Sequence, residues 1–301
     1  MTLADTTAAV VPAPRRTRGL TGVIAVLRRV IAAPAGFCSL VLILLLVACA
    51  LFAPLIAPYD PIAIAPRIRL QGPDWAHWLG TDQIGRDVLS RVIWGTATAL
   101  KVALAGTLGS LVVGAVLGIA SGLGPSWFDG FLILVCDAMK SLPLILLALA
   151  LVTIYGPSLA TLVTVIVFSM APGYFRVVRN QVLVLRRMDF VTAAEAMGAS
   201  RLRIALTHLV PNLVGPVIVL IAMDIPAVIG IEAGLSFLGQ GVQPPDPSWG
   251  SMLSDGYSFI RQAPHIAIAS GLPLILTTIA FTFFGEALRD ALDPKSGGRR
   301  P

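Results

Sequence analysis

Six long apolar stretches, separated by polar or proline-rich breaks, set the pattern along the chain. They fall at roughly 35–57, 96–122, 129–155, 157–179, 212–238 and 264–286. Each supplies the ~20 mostly apolar residues that a helix needs to cross a bilayer. Together they occupy about half of the 301 residues and leave no stretch long enough for a second domain with its own core. The pattern predicts an all-α membrane protein with six transmembrane helices.

The breaks carry the chemistry. Between the fourth and fifth runs, residues 189–211 read DFVTAAEAMGASRLRIALTHLVP, too polar for lipid and too apolar for a solvated loop. Asp189 is expected to cap a short helix, Gly198 to end it in a left-handed conformation, and Ser200 to cap a second helix. Pro211 suits the start of a new apolar helix and not the interior of the old one. The expected product is a helix–Gly–helix hairpin across one membrane face, with Phe190 and Met197 as apolar anchors. From residue chemistry alone it reads equally as an interfacial cap or as a docking element. The first run ends in FAPLIAPYDP (52–61), where prolines break the helix. WAHWLGTDQIGRDVLSRVIWG (75–95) follows, with tryptophans suited to an interface and Asp82 or Asp87 as a helix cap. Ser110, Gly114, Gly118 and Gly122 form a small-residue ladder on one face of the second run, which predicts a close seam with another helix.

Charged residues inside the runs are candidates for function or for pairing. Asp137 and Lys140 stand one turn apart, which predicts a local pair or a face on water, with Pro143 kinking the helix after them. Arg176 and Arg179 are expected to snorkel to the headgroups. Asp224 and Glu232, flanked by Pro216 and Pro226, are candidates for a translocation path or gate; a buried helix-packing acid is the alternative for Glu232.

Four of these stretches carry a resemblance. Ala193-Ala194, then Gly198, then Pro211 resembles the EAA loop of ABC-importer permeases, in the version of the dipeptide/oligopeptide/nickel permease family. Gly80, Thr81, Asp82, Gly85, Arg86, Asp87, Ser90 and Arg91 resemble that family's GTD-x-x-GRD-x-x-SR signature. IEAGLSFLGQGVQPPDPSWG (231–250), ending at Trp249-Gly250, and FFGEALRDALDP (283–294) resemble two more. Thr192 stands where the family has an acid and His208 where it has an apolar residue. Neither removes the Ala-Ala, Gly or Pro, and no acid-dependent contact is assigned to Thr192.

The resemblance implies a type I importer permease fold over about 35–290, with an extracytoplasmic segment at 58–94, a coupling loop at 189–211 and an extracytoplasmic loop at 239–263. It implies that Phe190, Ala193, Ala194, Met197, Gly198, Ala199, Arg201 and Arg203 meet an ATPase subunit. It also implies a second homologous permease, two ATP-binding cassette subunits that hold the ATP and Mg, an extracytoplasmic solute-binding protein, and a di- or oligopeptide cargo. Trp249 and the proline-rich turn before it are expected at the mouth facing that delivery protein. Nickel or another small solute is the alternative cargo.

Composition and charge sharpen the picture. At 56% hydrophobic and 13% charged, the chain is far too apolar for a soluble domain. Fifteen of the 22 basic residues fall on one side of a six-span topology: Arg15, Arg16, Arg18, Arg28 and Arg29; Arg176, Arg179, Arg186, Arg187, Arg201 and Arg203; Arg289, Lys295, Arg299 and Arg300. The positive-inside rule then puts both termini (tails 1–34 and 291–301) and the hairpin in the cytoplasm of a multi-pass bacterial inner-membrane protein. The basic excess reports topology, not nucleic-acid binding. The uncharged run from Val30 to Tyr59 exceeds a typical signal peptide, so an uncleaved first span is expected.

Cys38, Cys49 and Cys136 fall in predicted spans without metal or disulfide spacing, and no metal site is expected. No G-x-x-x-x-G-K-[ST] run is present, nor H-E-x-x-H, nor G-x-S-x-G. His77 is expected outside, His208 in the 189–211 loop and His265 at the mouth of the last span, a topology that gives them no shared site. The chain is therefore expected to be non-catalytic and to bind no cofactor itself. An ion-coupled secondary transporter is the rival reading; it needs unwound half-helices around Asp224 and Glu232. A membrane enzyme is the other.

Overall fold

The structure, a computed structural model, describes residues 20–293. Arg15, Arg16, Arg18, Lys295, Arg299, Arg300 and Pro294 of the closing signature lie outside the described residues, as do the outer parts of both expected tails. Within the stretch expected as an N-terminal tail, residues Leu20–Ala32 form helix α1. Helix α2 (Pro34–Leu51) opens on Pro34, at a first-turn position where the missing N–H is no loss. A short α3 (Ala53–Ile56) leads into an irregular segment with one 3-10 turn, Pro66–Ile68.

Helix α4 (Val88–Leu123) has 36 residues and starts earlier than the apolar run. Asp87 caps it by accepting from the Ser90 N–H at 2.7 Å. Its polar first turns, with Ser90, Arg91 and Thr96, are buried by protein and do not face lipid. The third run is not one kinked helix. It breaks by 90° into α5 (Ser126–Ser141) and α6 (Leu144–Tyr155). Leu142, ahead of Pro143, is forced into an extended conformation (ψ 124°), so the proline ends the helix. Helix α7 (Leu159–Leu185) follows, then α8 (Asp189–Ala196) and α9 (Arg201–Ile204). A π turn, Ala205–Leu209, joins α9 to α10 (Val210–Phe237). Helices α11 (Trp249–Ser258) and α12 (Pro264–Leu292) complete the described chain.

The small-residue ladder is the seam between α4 and α7. A Cβ on Gly114 would lie 2.5 Å from the Tyr174 Cβ, one on Gly118 2.9 Å from the Phe175 carbonyl, and one on Gly122 2.5 Å from Val182. Gly106 meets Ile166, so the matched positions climb together and the two helices run parallel. The chain must return between them, which makes α5 and α6 one broken span and gives six crossings. The Tyr59 N–H bonds to the Ser90 hydroxyl at 3.1 Å, which puts the exit of α2 beside the start of α4. At the opposite end Gly36 abuts Ala287, and Arg29 donates to the Ala291 carbonyl at 3.2 Å. Both ends of the described chain therefore lie at the end of the bundle that holds residues 189–204.

The main core joins α4, α7, α10 and Trp249 through Val102, Leu162, Ile166, Val228 and Ile229. Exposed faces of α4 (Leu104, Val112, Val116) and α12 (Ile268, Leu272, Ile275) are apolar, as lipid contact requires.

Candidate functional site: an exposed hairpin on a locked bundle

Residues 189–209 form the predicted hairpin, with two differences in its backbone. Met188, not Asp189, is the N-cap of α8, and Asp189 sits in the first turn, where a carboxylate favours the helix dipole. The stop at Gly198 is as expected: φ is +81°, Gly198 N–H bonds to the Glu195 carbonyl at 2.9 Å, and Ala199 N–H reaches the Ala194 carbonyl at 3.0 Å. Ser200 caps α9 by accepting from the Arg203 N–H at 3.3 Å. The second arm, however, does not end before Pro211. It runs through the π turn directly into α10, and Arg201–Phe237 forms one 37-residue helical path. The wider turn accommodates the ring and the missing N–H of Pro211.

The hairpin has an inner and an outer face. Val191, Ala194, Ile204 and Leu209 pack on Val178 and Val182 of α7, so Ala194 is core and not surface, and Ala199 is half-buried against it. The outer face carries Phe190, Ala193, Met197, Gly198, Arg201 and Arg203, with Met197 81% exposed. His208 sets its ring 6.0 Å from that of Phe190. The base is fixed to the bundle: Arg186 donates to the Gly122 carbonyl at 2.9 Å, joining the ends of α4 and α7.

At the other end the GTD–GRD run folds into a buried knot. Asp82 accepts from the Ile84 and Arg86 N–H groups and pairs with the Arg86 guanidinium at 2.6 Å. Arg91 lies 3.6 Å from the same carboxylate, and Arg86 reaches Asp255 of α11 at 3.9 Å. Asp87 holds Ser90 with one oxygen and His77 with the other, at 2.9 Å. Thr81 is buried; its hydroxyl meets the Ile68 carbonyl and its own carbonyl faces His265. Gly80 (φ +74°) and Gly85 (φ +83°) make the tight backbone; a Cβ on Gly85 would sit 1.9 Å from the Ala65 carbonyl. Asp255 is the member of this knot that the sequence did not single out. Trp249 is fully buried, donates to the Val92 carbonyl at 3.0 Å and covers Gly95, so it locks α11 to α4 and presents no surface to a delivery protein.

A family model described as "Binding-protein-dependent transport system inner membrane component" matches residues 114–297. A second, "N-terminal TM domain of oligopeptide transport permease C", matches residues 25–73. The chain belongs to this family of transporter inner-membrane components. It is 39% identical to the glutathione transport system permease protein GsiD of Pectobacterium atrosepticum, over 89% of this chain and 88% of that one. It is 39% identical to the dipeptide transport system permease protein DppC of Alkalihalophilus pseudofirmus, over 85% of this chain and 84% of that one. A structure of the inward-facing MetNI methionine ABC transporter shares the fold, with a TM-score of 0.57 at 16% identity, over 67% of this chain and 96% of that one. The permease thus has the type I ABC-importer fold, and it is a multi-pass, non-catalytic component of the bacterial inner membrane. Its family works with ATPase and substrate-binding partners.

Inside the permease the charged groups pair differently from the expectation. Asp137 pairs with Arg176 of α7, not with Lys140. Arg179 does not snorkel; it grips Asp129 with two hydrogen bonds of 2.5 Å, and Ser121 adds a third to that carboxylate. Glu232 has no exposed surface. One of its oxygens accepts from Ser236 at 2.8 Å and from Ser248 at 2.7 Å, and the other has no partner among the described residues. That is the setting of a packing acid. Asp224 is half-buried beside the Tyr174 ring, whose hydroxyl makes no well-formed hydrogen bond. Helix α10 is continuous past Pro216 and Pro226, so the unwound half-helices an ion-coupled carrier needs around these acids are not formed.

Proposed function

We propose that this permease carries di- or oligopeptides inward and is driven through its hairpin by an ATPase subunit. The observation that carries the reading is the hairpin itself. Its apolar inner face is fixed on α7, its second arm is continuous with α10, and its outer face leaves Phe190, Met197, Leu202 and Leu206 exposed. A push on such an element must move two spans. The basic residues Arg186, Arg187, Arg201 and Arg203 support placing this end in the cytoplasm. The names of the relatives, dipeptide and glutathione permeases, favour a peptide cargo. The assembly would comprise a second, homologous permease, two ATPase subunits that hold ATP and Mg, and an external solute-binding protein.

Gly198→Asp tests the coupling role. No neighbouring atom lies within 4 Å of a Cβ built at Gly198, so the bundle should still form. The charge and the strained φ should block docking. Membrane levels near wild type with peptide uptake lost are expected in a transport assay; normal uptake contradicts the role.

A further inference from the structure

We propose that the Arg176–Asp137 pair lies in the translocation path, where the Arg176 guanidinium exchanges Asp137 for a carboxylate of the passing cargo. The pair joins α7 to α5, and its two side chains are 48% and 52% exposed. Arg176 stands nine residues before the end of α7, about 14 Å of helix at ~1.5 Å per residue. That is within the hydrocarbon depth of a ~30 Å core. An ion pair left open at this depth is costly against lipid and is normally turned to water or to a partner.

Three neighbouring features favour water. Asn180 follows Arg176 one turn on along the exposed face of α7, before Leu183 and the exposed Val184 turn that face apolar, and Arg187 lies just past the helix end. Lys140, exposed one turn beyond Asp137, makes no ion pair among the described residues, so the cluster carries one positive charge in excess. The 90° elbow of α5 and α6 begins just past Asp137, and non-helical backbone at membrane depth is tolerated only where it is buried in protein or lines a water-filled cavity; Ser141, Leu142 and Pro143 at the elbow are exposed. An open guanidinium offers a fork to a carboxylate, and Asp137 keeps it satisfied when no cargo is present. A cargo ammonium would in turn meet Asp137. The chemistry selects a zwitterionic or acidic solute, so the inference rests on the peptide reading and narrows it.

The test uses the full transporter in proteoliposomes, with Cys38, Cys49 and Cys136 replaced by Ala. Arg176→Cys is exposed to an anionic, membrane-impermeant methanethiosulfonate, with Val112→Cys as the lipid-facing control. Fast modification at position 176, slowed by trialanine delivered with the binding protein, is expected. Arg176→Gln should lower trialanine uptake about tenfold while leaving basal ATP hydrolysis and assembly intact. Modification no faster than at Val112, with and without ATP, would place the pair against lipid or the second permease and overturn the proposal. Fast modification with wild-type uptake by Arg176→Gln would overturn the cargo contact. If the unmodified transporter takes up no peptide, the peptide reading fails, and the labelling still decides whether the pair lines the path.

Discussion

The acids and glycines of this permease divide into those that hold the fold and those that leave a surface free. Glu232 belongs to the first group. Replacing it with Gln keeps an acceptor for Ser236 and Ser248, so the midpoint of thermal unfolding in detergent should barely move. Glu232→Ala strands two buried hydroxyls and should cost about 1–3 kcal/mol for each group left unsatisfied, read as a lowered midpoint. Gly85 and Gly198 make a similar contrast. Both have positive φ, but a Cβ on Gly85 collides with the Ala65 backbone and one on Gly198 meets nothing. Gly85→Ala should therefore reduce membrane levels sharply. Gly198→Ala should pay only the left-handed strain of about 1–2 kcal/mol and reach the membrane at near-normal levels, as an immunoblot of membranes will show.

At the scale of elements, the α4–α7 seam is the part most sensitive to size. Gly118→Leu should push the helices apart, because the backbone of Phe175 and Arg179 lies within 3.0 Å of the new Cβ. Loss of assembled transporter on size exclusion is expected, and a normal profile contradicts the seam. This ladder was legible in the sequence because its four-residue spacing is a local property of one helix. The six apolar runs and the Gly198 stop were legible for the same reason. That the helix capped at Asp87 is continuous with the apolar run was not, since Ser90 and Arg91 look polar until the 58–87 segment folds over them. Nor was the pairing of Arg176 with Asp137, 39 residues apart, or of Arg179 with Asp129, 50 apart. The nearby Asp137–Lys140 spacing suggested a local pair that the fold does not make. Pro143 announced a kink, but only the packing of α6 on α7 shows a full break. The π turn left no sequence mark other than Pro211 itself.

At the scale of the whole molecule, six crossings bring both described chain ends and the hairpin to one end, and a buried ionic knot closes the other. In the proposed orientation, this asymmetry suits a subunit that is rigid at its outer end and open at the end where it would be driven. The central claim is that the outer face of the 189–204 hairpin is where a motor subunit grips. The most direct measurement is photocrosslinking from Met197, replaced by a photoreactive residue in the membrane-embedded transporter. A product containing the ATPase subunit, lost when ATPase and permease are dissociated before illumination, is the predicted result. Crosslinks only to lipid, or to a protein on the opposite face of the membrane, would contradict it.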